Sequence, residues 1–146
     1  MSASLIHQSL DTLKRICEEV LWPVVQLGVR LMVAYQFFIS GWLKFGYVLN
    51  GQLDTLYYLF EDYDVPLLPV PVAAWMGMSG ELILSTLLAF GLFGRFAGLG
   101  LIFMCAVIYH TDGNMLAPYW ALLCAVVVAK GAGTFSIDKF INKVKR

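Results

Sequence analysis

Charge is scarce in this sequence, and histidine and cysteine scarcer still. Of the 146 residues, 14% are Asp, Glu, Lys or Arg, two are His and three are Cys. Cys17, Cys105 and Cys124 contain no CxxC spacing, so neither a redox dithiol nor a disulfide framework is read from them. Cys105 and Cys124 fall inside apolar runs, where a thiol acts as a small space-filling hydrophobe. No His, Cys or carboxylate cluster has ligand spacing, so no metal is expected. A CxxCH motif, a pair of histidines for haem within the spans and a dinucleotide motif are all missing, which excludes a covalently held cofactor and an independent catalytic centre of those kinds. Net charge is zero, pI is about 6.7, and no basic stripe interleaves with aromatics, so nucleic acid is not an expected partner. Residues 1–20 lack a short apolar core before a small-residue cleavage site and carry Asp11, Lys14, Arg15, Glu18 and Glu19. The first span is therefore expected to serve as its own insertion signal.

Apolar residues are what the chain has in quantity. They make up 60% of it, with a mean hydropathy of +0.74, which places the chain in a lipid bilayer. Four apolar stretches are read as spans, at about 21–45, 72–93, 96–109 and 116–129, the last two short for a full crossing. Gly94 and Arg95 are expected to form the turn between the second and third, and His110 to Asn114 (HTDGN) the turn between the third and fourth. Such short links make neighbouring spans antiparallel. The expected architecture is all-α: one domain over 1–146, a four-transmembrane-helix antiparallel bundle with amphipathic interfacial helices at both ends and a short helix in the outer loop.

Charge asymmetry orients this scheme. Lys14, Arg15, Arg95, Lys130, Lys139, Lys143, Lys145 and Arg146 fall on one side, expected to be cytoplasmic. The loop over 49–71 on the other side holds Asp54, Glu61, Asp62 and Asp64 and no basic residue. Ile6, Leu10, Leu13 and Cys17 recur at helical spacing before Pro23, which is placed in the first turn of a new helix. Ser136 is positioned to cap a basic amphipathic tail, 136–146, that carries Ile137, Phe140, Ile141 and Val144 on one face, with Phe135 and Phe140 as a hydrophobic staple. In the outer loop Leu53, Leu56, Leu59 and Phe60 suggest a surface helix, and YDVPLLPVP uses three prolines to hold an extended approach to the second span.

One residue stands against the apolar background. Arg30 lies roughly 13 Å into the first span, and Glu81 roughly 18 Å up the second, at 1.5 Å of rise per residue. An Arg30–Glu81 pair is the expected neutralisation, since an isolated ion at that depth is costly. Tyr35, Gln36, Ser79, Ser85 and, roughly 22 Å up the third span, His110 gather near the same level and suggest a polar pocket open to the outer face. Lys44 follows Arg30 through Phe37 and Gly41 on nearly one helix face; it either overhangs that pocket or snorkels outward to Asp54 or Glu61. A buried pair also serves purely to fix helix register, and a lone His at a span end is commonly an interface residue. Ala117, Ala121, Ala125 and Ala129 form a small-residue stripe for close helix packing, within the bundle or between copies of the chain, and Gly98 and Gly100 suit the same purpose.

These segments together resemble the DoxX family. RLMVAYQFFISGWLK is similar to its first-span signature, GELILSTLLAFGLFGRFAGLGLIF to its second and third spans, and GAGTFSIDKFI to its C-terminal ending, with Ala132 where proline is frequent. The resemblance covers about 28–141 and implies a four-helix protein of the bacterial inner membrane, both termini cytoplasmic, associated with redox functions. A narrower likeness, in LFEDYDVPLLP and the stretch from Ala73 to Glu81, is to members encoded beside enzymes that modify small metal-binding peptides. The reading that follows is a redox-associated membrane subunit that binds quinone or relays protons at the Arg30/Glu81 site, with electrons supplied through a partner protein. The alternative is a non-catalytic anchor or accessory for a metal-stress or peptide-export system, beside a peptide-modifying partner. A small transporter ranks third, because the chain shows neither an inverted repeat nor a broken helix.

Overall fold

The computed structural model of the chain describes residues 2–63, 65 and 67–144. Asp64, Pro66, Lys145 and Arg146 lie outside the described residues, as do the side chains of Ile6 and Val144. Every element among the described residues is helical: α1 (Ser2–Ile16), α2 (Trp22–Leu49), α3 (Leu53–Asp62), α4 (Val70–Phe90), α5 (Gly94–Thr111), α6 (Ala117–Lys130) and α7 (Ile137–Val144).

Pro23 lies in the first turn of α2, as expected, but α2 continues from α1 without a break. The proline's missing N–H and its ring would disrupt the bond to the carbonyl four residues earlier. The chain responds with one wide π turn, Cys17–Leu21, in which the Trp22 N–H bonds the carbonyl of Cys17, five residues back. An apolar helix consequently runs unbroken for 40 residues from Leu10 to Leu49.

The turn after α4 also differs from expectation. α4 ends at Phe90 and the reversal is made at Gly91, with φ of +65° and the Leu92 N–H bonded to Leu87 O at 2.9 Å. This is the left-handed C-terminal motif that favours glycine. Gly94 and Arg95, expected to form the turn, instead open α5.

Close approaches establish the packing order. Gly41 of α2 meets Glu81 and Leu82 of α4, Gly100 of α5 meets Leu84 of α4, and Gly98 of α5 meets Val128 and the Cys124 carbonyl of α6. Gln26 of α2 bonds Gly131, just past α6. The helices therefore form an antiparallel ring, α2–α4–α5–α6, closed by α6 on α2. Val33, Phe37, Leu88, Leu101, Cys105, Cys124 and Val127 fill its centre. Close glycine packing is seen at both Gly98 and Gly100, while the alanine stripe divides: Ala117 is buried and Ala121 packs on the core, whereas Ala125 and Ala129 are exposed.

The exterior is apolar as well. Phe96, Phe103, Tyr119 and Leu122 are each about 70% exposed, as expected of surface in contact with lipid. α2, α4 and α5 belong to segments long and apolar enough to cross a membrane. At 14 residues, α6 spans only about 21 Å, short of the ~30 Å hydrocarbon core. α3 caps the end of the ring opposite Arg95 and Lys130: Leu56 and Phe60 are buried against Ala73, Ala74 and Met78, and the Phe60 ring rests on Gly77.

Candidate functional site

The expected Arg30–Glu81 pair does not form. Arg30, Glu81 and Lys44 are all buried, at 3%, 3% and 7% exposure, yet they divide into two loci at different levels of the bundle.

At the first locus, toward α3, Lys44 Nζ bonds both oxygens of Glu81, at 2.6 and 2.7 Å, and Ser40 Oγ at 3.0 Å. Glycine at 41 makes this possible, because a Cβ there would lie 2.9 Å from Leu82 and 3.0 Å from the Glu81 Cβ. Lys44 therefore lies at a pocket wall and does not reach Asp54 or Glu61. It is the counter-ion assigned beforehand to Arg30.

This pair forms part of the wall of a cavity of about 790 Å³ between α2, α4, α5, α6 and the loops on the α3 side. Gln36, Ser40 and His110 also line it, although Gln36 and His110 are largely exposed. Tyr35 faces away from the bundle, 67% exposed. Ser79 is turned onto its own helix, bonded to the Trp75 carbonyl at 2.6 Å, and Ser85 is buried and bonded to the Leu82 carbonyl at 3.1 Å. Tyr63, on the cap, lines the cavity, and its hydroxyl is held above the ordinary tyrosine range, first by burial and then by the charges of Asp112, Glu81 and Asp62. It presents a neutral donor there.

At the second locus, toward Arg95 and Lys130, Arg30 is held by backbone. Its Nη1 donates to the Ala132 carbonyl and its Nη2 to the Phe135 carbonyl at 2.6 Å. Nε is buried and finds no partner among the described residues. The guanidinium stands where α4 and α6 both end, so two helix C-termini point partial negative charge toward it. The strap that supplies the carbonyls, residues 131–136, is seated by small residues. A Cβ at Gly133 would meet Gln26 Oε1 at 2.8 Å, and one at Gly91 would meet Arg30 Nη1 and Ser136 Cβ at 2.6 Å.

Asp138, unassigned in the sequence reading, locks the strap to the bundle. Its carboxylate accepts the amides of Phe93 at 3.0 Å and Gly94 at 3.1 Å, capping α5 from 44 and 45 residues away. Ser136 does cap α7, through its Oγ and the Lys139 N–H at 3.3 Å. Its staple partners Phe135 and Phe140 are 59% and 70% exposed. Replacing Asp138 by Ala should lower stability by about 0.5–2 kcal/mol, and Asn should restore much of it; thermal unfolding in detergent measures both. An unchanged midpoint for Asp138→Ala would remove the cap from the account.

No group of three His, Cys, Asp or Glu side chains converges on a metal position among the described residues. The sequence model of the DoxX family matches residues 25–112, which takes in α2 to α5 and both members of the Lys44–Glu81 pair. A relative described as an uncharacterized protein, from Haemophilus influenzae, is 28% identical over 131 aligned residues, covering 81% of this chain and 83% of its own. No solved structure matches.

Proposed function

Because the chain belongs to the DoxX family of membrane proteins, we propose that it is a redox-associated subunit of the bacterial inner membrane, its termini cytoplasmic, whose outer cavity binds a quinone headgroup or relays protons beside one. The observation that carries this is the buried Lys44–Glu81 pair in the wall of a largely apolar cavity. Ionisable groups inside a bundle are costly, and function is the usual reason they are kept. The surroundings suit a flat ring with two carbonyl acceptors: Phe37, Phe103 and Met104 offer apolar walls, while Gln36 and Tyr63 supply donors. Glu81 is the carboxylate placed to hold or release a proton beside such a ring. Electron transfer requires a partner protein.

The protein, purified in mild detergent with its native lipids, should carry extractable quinone, and Glu81→Gln at least tenfold less. Equal absence from both discards this reading. What then stands is the second one, a non-catalytic anchor or accessory for a metal-stress or peptide-export system. It draws support from the acidic outer cap, with Asp54, Glu61 and Asp62 in α3, and from the basic, amphipathic α7 as docking surfaces.

A further inference from the structure

A second cavity, of about 830 Å³, opens at the basic end of the bundle, between the beginnings of α2 and α5, the end of α6, the strap and α7. Its chemistry is the reverse of the outer one. Arg95, Lys130 and Lys139 line it, all exposed, against one acid, Asp138. Both oxygens of that acid are already engaged by the amides of Phe93 and Gly94. The lining thus carries three cations against a single acid whose oxygens are already hydrogen-bonded.

Its rim is apolar. Phe93, Phe96 and Ile141 border it at 60%, 73% and 39% exposure. Trp22 stands at one edge with the Lys130 ammonium 5.7 Å over its ring, the arrangement of an indole at headgroup level.

We propose that this cavity binds the phosphate of an anionic phospholipid, with the cations on the phosphate oxygens and the acyl chains along the apolar rim. A planar guanidinium and two ammonium groups match a phosphate ester, and a basic recess between membrane helices is a recurrent headgroup site. A free phosphate would satisfy the cations and leave the rim uncovered. The site lies outside the outer cavity and uses none of its residues.

Native mass spectrometry of the full chain tests this, titrating phosphatidylglycerol against phosphatidylethanolamine of the same acyl chains, and separately against inorganic phosphate. Phosphatidylglycerol should be retained preferentially. Arg95→Gln with Lys139→Gln should weaken its binding about 20-fold, at about fivefold per cation. Lys14→Gln with Lys143→Gln, an equal charge loss outside the cavity, should change it less than threefold. Equal retention of the two lipids by the wild type overturns the proposal without recourse to any variant. So does an equal loss in the control pair, which means diffuse attraction, or full displacement by low millimolar phosphate, which means a plain anion site.

Discussion

Glu81→Leu destabilises the protein by about 3–5 kcal/mol, and adding Lys44→Leu returns most of that loss. Both outcomes follow from burial. Lys44 is 7% exposed and its ammonium donates to Glu81 and Ser40. Removing the carboxylate alone strands a buried cation with only the Ser40 hydroxyl as partner. Removing both leaves an apolar interface between α2 and α4 near Gly41, of the kind that often equals or exceeds a buried pair in stability. Unfolding midpoints of the two single variants and the double, in one detergent, close the cycle. Additive damage would mean that the two side chains do not share one interaction. The same double variant separates the functional readings: a folded protein that has lost its quinone supports a ligand site, and one that keeps its cellular role supports an anchor.

Arg30→Leu is expected to release the strap. Two hydrogen bonds from a charged donor end with it, at about 1.5–3 kcal/mol each, and leave the carbonyls of Ala132 and Phe135 in need of partners. Hydrogen exchange should rise at least tenfold over residues 131–138, where the Asp138 N–H normally bonds Gly91 O at 3.2 Å. Arg30→Lys should fall between wild type and Leu, because an ammonium does not reproduce the planar fork. Glu81→Leu added to Arg30→Leu should worsen stability by nearly its own full amount, since the two sites share no partner. Mutual rescue would restore the Arg30–Glu81 pair that the geometry replaces.

The burial of Arg30 and Glu81 was legible in the sequence; that of Lys44, and the partner of each, was not. Arg30, Phe37, Gly41 and Lys44 recur on one helix face, and all four are buried in α2. Fourteen residues separate the two cations, about 21 Å along the axis. An antiparallel α4 therefore has to present a different residue to each. Glu81 falls opposite Lys44, and Gly91 opposite Arg30. Matching depths gave both spans a common lower end, whereas α4 ends beside Arg30, eight residues and about 12 Å above the start of α2, and that offset selected the wrong partner. Tyr35 was misplaced for want of azimuth: it sits beside buried Ala34 but points outward. The carbonyls that hold Arg30 were not legible at all, because a backbone acceptor has no residue type. The glycines at 131 and 133 gave the only local signal of a close strap. Asp138 acts across too great a sequence distance for any spacing rule to find it.

The backbone clasp around Arg30 also imposes an order on biosynthesis. The acceptors lie 102 and 105 residues downstream of the guanidinium. At about 5–20 residues translated per second, that is a delay of roughly 5–20 s between the cation leaving the ribosome and the last of its partners doing so. For that interval the arginine has to linger at the headgroup level by extending its stem, or shelter in the insertion machinery. The chain is thus assembled around a debt cleared only about a hundred residues after it is incurred.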